Sequence, residues 1–196
     1  MVKAMRFRAV LPWFGVLLGS FVASPASATL SEALSLSDLV ERSQLVAVVT
    51  CTDERTVRDS RGRIVTDYGL TIQESWRGDG APGETITMRS LGGVLGDIGM
   101  RVEGEPRLGV GARYLVFLRR LSGGGALRPV GMSQGVMPVE TEGATVRVLP
   151  GGEGLALRQR TRGGRLIEAP PAIVHPEPLE AVRERVTALG GGEGVR

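Results

Sequence analysis

The chain has one cysteine, one histidine, one lysine and no asparagine in 196 residues, and aromatic residues make up only 4% of it. Each shortage closes a class of function. A single cysteine, Cys51, excludes an internal disulfide. Its setting in a run of small and β-branched residues reads as a buried thiol rather than a nucleophile, which needs exposure and cationic neighbours. The lone histidine, His175, lies between Val174 and Pro176 in a proline-rich stretch, where it cannot gather the ligands a metal site assembles. The missing asparagine removes any N-glycosylation acceptor.

The first 28 residues read as an export signal. Lys3, Arg6 and Arg8 form a basic start, 9–23 is an apolar run, and Ala26-Ser27-Ala28 supplies the small-residue cleavage pattern. The run is too short to span a bilayer, which takes ~20 apolar residues. No stable membrane insertion is therefore expected after cleavage, and the mature chain should begin at Thr29 in the periplasm or outside the cell. Removing those three cations leaves 21 basic against 21 acidic residues. A neutral mature chain whose aromatics are Tyr68, Trp76, Tyr114 and Phe117 offers neither the charge nor the stacking platform of a nucleic-acid binder.

What is abundant is alternation. Tyr68, Leu70 and Ile72 point one way in a strand while Asp67, Gly69, Thr71 and Gln73 point the other, and Ile86 and Met88 repeat the pattern beyond a Gly/Asp/Pro turn. Leu45 to Asp53 is apolar at nearly every position, which predicts a strand buried on both faces. Arg113 to Arg119 predicts a central strand. Short strands follow over 127–130 and 135–139, with a last hairpin pairing Val146 and Val148 with Leu155 and Leu157. Met100 to Val102 predicts a short edge strand.

Two helices frame this β region. Ser35 and Asp38 have the spacing of a capping box before Leu36, Leu39 and Val40. Leu179, Val182, Val186 and Leu189 recur at helical spacing near the end of the chain. The expected organisation is a signal over 1–28, a mainly β domain with an N-terminal helix over 29–157, an Arg/Gly/Pro-rich linker over 158–178, and an amphipathic helix with its tail over 179–196. Four arginines fall between 158 and 165, which could touch anionic lipid or polysaccharide but read by composition as a flexible charged tail.

Several stretches together resemble a known group. They are S-D-L-V-E-R-S-Q-L-V-A-V-V-T (37–50), T-D-Y-G-L-T-I-Q-E-S-W-R-G (66–78), G-E-T-I-T-M-R-S-L-G-G (83–93), G-A-R-Y-L-V-F-L (111–118) and the late Q-G-V (134–136). They resemble uncharacterised exported bacterial β-domain proteins and, more distantly, are similar to the netrin-like domain that includes the tissue inhibitors of metalloproteinases. That resemblance implies a small antiparallel OB-like β-barrel. Those inhibitors present an N-terminal cysteine to a catalytic metal, whereas this chain would start Thr29-Leu30-Ser31, so no inhibitory residue carries over.

For chemistry, Gly131-Met132-Ser133-Gln134-Gly135 matches the G-x-S-x-G nucleophile pattern, and His175 follows in hydrolase order. That makes a small serine hydrolase using Ser133 and His175 the alternative. The motif needs a helix after it, whereas Val136-Met137-Pro138-Val139 continues as extended chain. Asp97, Glu103 and Glu105 match no calcium-loop spacing, and no phosphate loop precedes a helix, so no metal or cofactor is expected. The reading left by elimination is an exported, non-catalytic binding module whose partner is another exported protein, a protease among the candidates. Its expected binding loop is 92–111, which holds seven glycines and carries Gly92, Gly93, Asp97, Arg101, Glu103, Glu105 and Arg107.

Overall fold

A computed structural model describes residues 29–120 and 126–190. The export signal expected over 1–28 and the tail beyond Gly190 lie outside the described residues. The described residues are mainly β with two α-helices. In order it forms β1 (Thr29–Glu32), α1 (Leu36–Glu41), β2 (Leu45–Arg58), β3 (Ile64–Arg77), β4 (Thr85–Leu91), β5 (Gly93–Leu95), β6 (Ile98–Met100) and β7 (Arg113–Arg120). After β8 (Leu127–Pro129) comes a 3-10 turn (Met132–Gly135). Then follow β9 (Val136–Glu142), β10 (Thr145–Val148), β11 (Leu155–Arg160), β12 (Leu166–Glu168), β13 (Glu177–Pro178) and α2 (Leu179–Gly190).

β2 and β3 form one long antiparallel hairpin. Asp59 closes its turn: the carboxylate accepts from the backbone N–H groups of Arg61 and Arg63, both at 2.9 Å, while Gly62 takes the left-handed φ of 76°. Three register shifts interrupt the β2–β3 pairing, the last between Cys51 and Asp53. Such irregularities bend and twist a strand pair. Gly69 sits at the last of them, where a Cβ would come within 3.2 Å of Asp53 Cβ.

The curl carries the sheet round on itself. β4 pairs with β3, β7 pairs with the opposite edge of β2, and β8 pairs antiparallel with β7 and parallel with β4. Strand pairing therefore runs β2–β3–β4–β8–β7 and returns to β2. The β4–β8 seam rests on one residue pair, Met88 opposite Leu127.

Alternation on β2 and β7 builds two cores. Leu45, Ala47, Val49 and Cys51 face the inside of the ring with Tyr114, Val116 and Leu118, against Tyr68, Leu70, Ile72 and Met88. Val46 and Val48 face outward with Leu115 and Phe117, and are covered by Leu39 and Val40 of α1, Val182 and Val186 of α2, Ile173, Met137 and Val139. The double burial expected for the first long strand is thus real. Leu115 and Phe117, however, lie on the opposite face of the sheet from Tyr68 and Leu70. The capping box of α1 forms as expected, with Ser35 Oγ accepting from Asp38 N at 3.1 Å and Ser35 N donating to the Asp38 carboxylate at 3.0 Å.

Three local expectations are corrected. The hairpin expected between 145–148 and 155–157 does not form. β10 instead folds back on β9 through a two-residue connection led by Gly143 at φ 60°, a geometry that matches strand twist. β11 pairs in parallel with β1 and antiparallel with β12. The short strand expected at 100–102 lies at Ile98–Met100, paired with Gly93–Leu95. The stretch 158–178, read as a linker from its composition, carries the second half of β11, all of β12 and the fully buried Ile173.

Candidate functional site

The connection from β4 to β7 divides into a projecting tip and a fastened base. Gly92 N donates to Ile64 O at 2.9 Å, and its carbonyl accepts from the buried Thr66 hydroxyl at 2.7 Å. Gly93 follows at φ 133°, where a Cβ would lie 2.4 Å from Thr66 Oγ1 and 2.7 Å from Thr56 Oγ1. No other residue fits that close approach. β5 and β6 then project as a small hairpin turning through Gly96 (φ 60°) and Asp97. Val94 is 71% exposed and Ile98 54%.

Beyond the tip the chain is tied down. Glu105, whose side chain is only 4% exposed, accepts from Ser90 Oγ at 2.8 Å, Leu91 N at 2.9 Å and Arg128 Nη2 at 2.8 Å. Ser90 and Leu91 belong to β4 and Arg128 to β8, so this carboxylate clasps the thin seam that closes the ring. Further along, Gly109 N donates to the Tyr114 hydroxyl at 2.8 Å, and Gly111 and Ala112 bond to the backbone of Cys51.

The base of the connection, the 3-10 turn and residues 150–154 enclose a cleft of about 230 Å³. Arg101, Glu103, Glu105 and Arg107 line it, together with Tyr114 and Ser133. Arg101 and Glu103 form an ion pair on its rim. The cleft wall packs backbone on backbone: Ser133 N donates to Gly104 O at 2.9 Å. A Cβ on Gly104 would strike Leu155 Cδ2 at 2.2 Å. Thr29 borders the cleft, its hydroxyl donating to Glu103 O at 3.1 Å and its N–H to Gly154 O at 3.3 Å. Of the residues singled out from sequence, Arg101, Glu103, Glu105 and Arg107 therefore meet at the cleft. Gly92 and Gly93 instead form the fastened root of the tip, and Asp97 is exposed at its end.

Ser133 is 4% exposed, and its hydroxyl donates to Glu153 O at 2.8 Å. The left-handed residues of the motif are Gly131 (φ 66°) and Met132 (φ 60°), not the serine, and a strand follows in place of a helix. His175 is exposed and is not a hydrogen-bond partner of Ser133. The residue of this motif that does structural work is Gln134. Its Oε1 accepts from Leu34 N at 2.9 Å, and its Nε2 donates to Glu32 O at 3.0 Å, which fixes the segment after β1. A glutamine inside a glycine-flanked turn gives no sequence signal for so distant a partner.

Two buried side chains of the inner core, Tyr68 and Cys51, have raised pKa values. Burial, followed by the Glu54 carboxylate, pushes the Tyr68 phenol up to about 12. Burial likewise raises the Cys51 thiol. Among the described residues no group of three or more His, Cys, Asp or Glu could hold a metal ion, and no helix is long and apolar enough to cross a membrane. No family model, no curated protein and no solved structure matches the chain.

Proposed function

We propose that the mature chain is an exported, non-catalytic binding module that grips another exported protein, a protease among the candidates, through the β5–β6 hairpin. The observation that carries this reading is the exposure of Val94 and Ile98 on a tip whose base is hydrogen-bonded to β3 through Gly92. Exposed aliphatic groups on a pre-organised element lose little conformational freedom on binding, and recognition concentrates on such loops. The basic start, apolar run and Ala-Ser-Ala of residues 1–28 support export. The circuit β2–β3–β4–β8–β7 supports reading the ring as a small OB-like barrel, as the netrin-like resemblance implies. A fixed barrel would hold the tip and the cleft at its side in constant relation.

The test is capture from host periplasm and culture supernatant with the processed protein as bait, beside a Val94→Asp/Ile98→Asp variant. The partner identified is then titrated in purified form. A partner whose affinity falls at least ten-fold in the variant, on the order of the loss of one buried anchor, supports the reading. No partner, or one that ignores both substitutions, overturns it.

A further inference from the structure

The arginines of 158–165 are built into a hairpin, not a tail. Thr161 N donates to Arg165 O at 2.9 Å and Gly164 N to Thr161 O at 2.9 Å, with Gly164 at φ 80°. Arg160 Nη1 caps the turn by donating to Gly164 O at 2.9 Å. Arg158 lies level with Glu168 and Glu32 across the sheet and comes within 3.8 Å of the Glu168 carboxylate. Arg160, Arg162 and Arg165 form no ion pair with any carboxylate among the described residues. Three cations without counter-ions thus crowd one tight turn.

The strand leaving that turn is equally unusual. β12 is the outermost strand of the β1–β11–β12 sheet, and its outer edge pairs with no strand among the described residues. Its two apolar residues point to opposite faces, and both are exposed, Leu166 at 52% and Ile167 at 44%. Leu166 shares a face with Arg160, the residue opposite it in register, and with Arg158. Along that face a shallow groove of about 260 Å³ runs between Leu166 and the exposed Leu30 of β1.

We propose that the β11–β12 hairpin docks tip-first on an anionic phospholipid surface, its arginines meeting lipid phosphates while Leu166 and Ile167 enter the headgroup boundary. The charge pattern fits. Guanidinium groups bond phosphate oxygens in pairs, and their stems lie along apolar surface while the heads stay wet. The placement of the aliphatic residues favours a lipid surface over an acidic peptide. A peptide added to one edge or laid on one face would cover Leu166 or Ile167, whereas a bilayer interface surrounds a projecting tip and takes both. Attachment of this kind is peripheral and reversible. It rests on a different surface from the β5–β6 tip and stands or falls without it.

The experiment is co-sedimentation of the purified protein with vesicles of phosphatidylcholine alone and of phosphatidylcholine with phosphatidylglycerol. The N-terminal sequence is checked first, so that an uncleaved leader cannot bind in place of the hairpin. The expected result is binding to the anionic vesicles only, weakened by salt. Each arginine near an anionic surface contributes on the order of a five-fold change in affinity. Arg162→Ser/Arg165→Ser should therefore weaken binding roughly twenty-five-fold. Leu166→Ser/Ile167→Ser should also weaken it, and both variants should melt with the parent because the altered side chains are exposed. The proposal is overturned by absence of binding, by equal binding to neutral vesicles, or by arginine variants that bind as well as the parent. Release of the protein from vesicles by soluble polyglutamate, with the Leu166/Ile167 variant unaffected, would overturn it in favour of an acidic polymer.

Discussion

The two faces of β2 and β7 are equally dry but are kept so by different means. The inner face is closed mainly by other strands of the same ring, joined by Leu108 and Val136, so most of what covers it is paired into the structure it covers. The outer face is covered by α1, α2 and Ile173, pieces of chain from before and after the ring. A twelve-residue helix such as α2 is marginal in water by itself and holds its shape only through the stripe it buries. Equal burial thus conceals unequal security: the inner core opens only when the ring opens, while the outer core can open when its lid lifts.

The largest effect should come from placing a charge in the inner core. Leu70→Asp buries an unpaired carboxylate, a change expected to cost more than about 4 kcal/mol, against a domain stability of roughly 5–15 kcal/mol. Thermal melting should show the whole fold destabilised, with no protected remnant in hydrogen exchange. The matching substitution outside, Val182→Asp, should cost roughly 3 kcal/mol or less, because the helix can leave and carry the charge into water. Amide exchange should then show α2 losing protection while β2 and β3 keep theirs. Equal loss at both places would erase the distinction between the two cores.

Glu105 tests the ring from its weakest seam. Glu105→Ala removes the clasp between β4 and β8 and leaves Arg128 without its carboxylate, a loss of about 2 kcal/mol. Faster exchange should be confined to Leu91 and its neighbours on β4 and β8, and the outer core should not notice. The smallest effect belongs to the outer lid's own support. Ser35→Ala should cost about 1 kcal/mol by removing the cap of α1. The same cap carries a pH signature. Hydrogen bonds from the Ser35 side chain and backbone, outweighing the opposing effect of burial, hold the Asp38 carboxyl below its ordinary value. A carboxyl depressed in the folded state stabilises above its unfolded pKa and loses that contribution as pH falls through the folded one. Denaturant titrations should therefore show the gap between parent and Asp38→Asn closing below about pH 4.

Most of what was legible in the sequence was local. Period-two alternation located β3 and β4, near-continuous apolar runs located β2 and β7, and the Ser35–Asp38 spacing located the start of α1, because those signals reside in neighbouring residues. Pairings between distant segments were not legible. Nothing near Thr29 announces Leu155, and nothing in the composition of 158–178, with its arginines and prolines, announces that Ile173 is buried in the outer core that holds Val48 and Phe117. The loop 92–111 shows both limits at once. Its seven glycines suggest a loop open for contacts, yet Gly93 and Gly104 are small because side chains press on them. Glu105, taken for a binding residue, spends its carboxylate holding two strands together. The exposed pair Val94 and Ile98 was visible only once the hairpin between them was known.

The parallel pairing of β1 with β11 has a consequence in time. Thr29 stands opposite Leu155, and Gln134, which holds the segment behind β1, is nearly as distant along the chain. On a ribosome the amino-terminal end emerges first, long before either partner has been made. During that interval Leu30 and the edge of β1 have nothing to rest on, whatever the ring has already achieved. Contacts of such long sequence separation form late and slowly. β1 is therefore completed after almost everything in the ring, and the segment around Thr29 stays unpaired until Leu155 and its neighbours have been made.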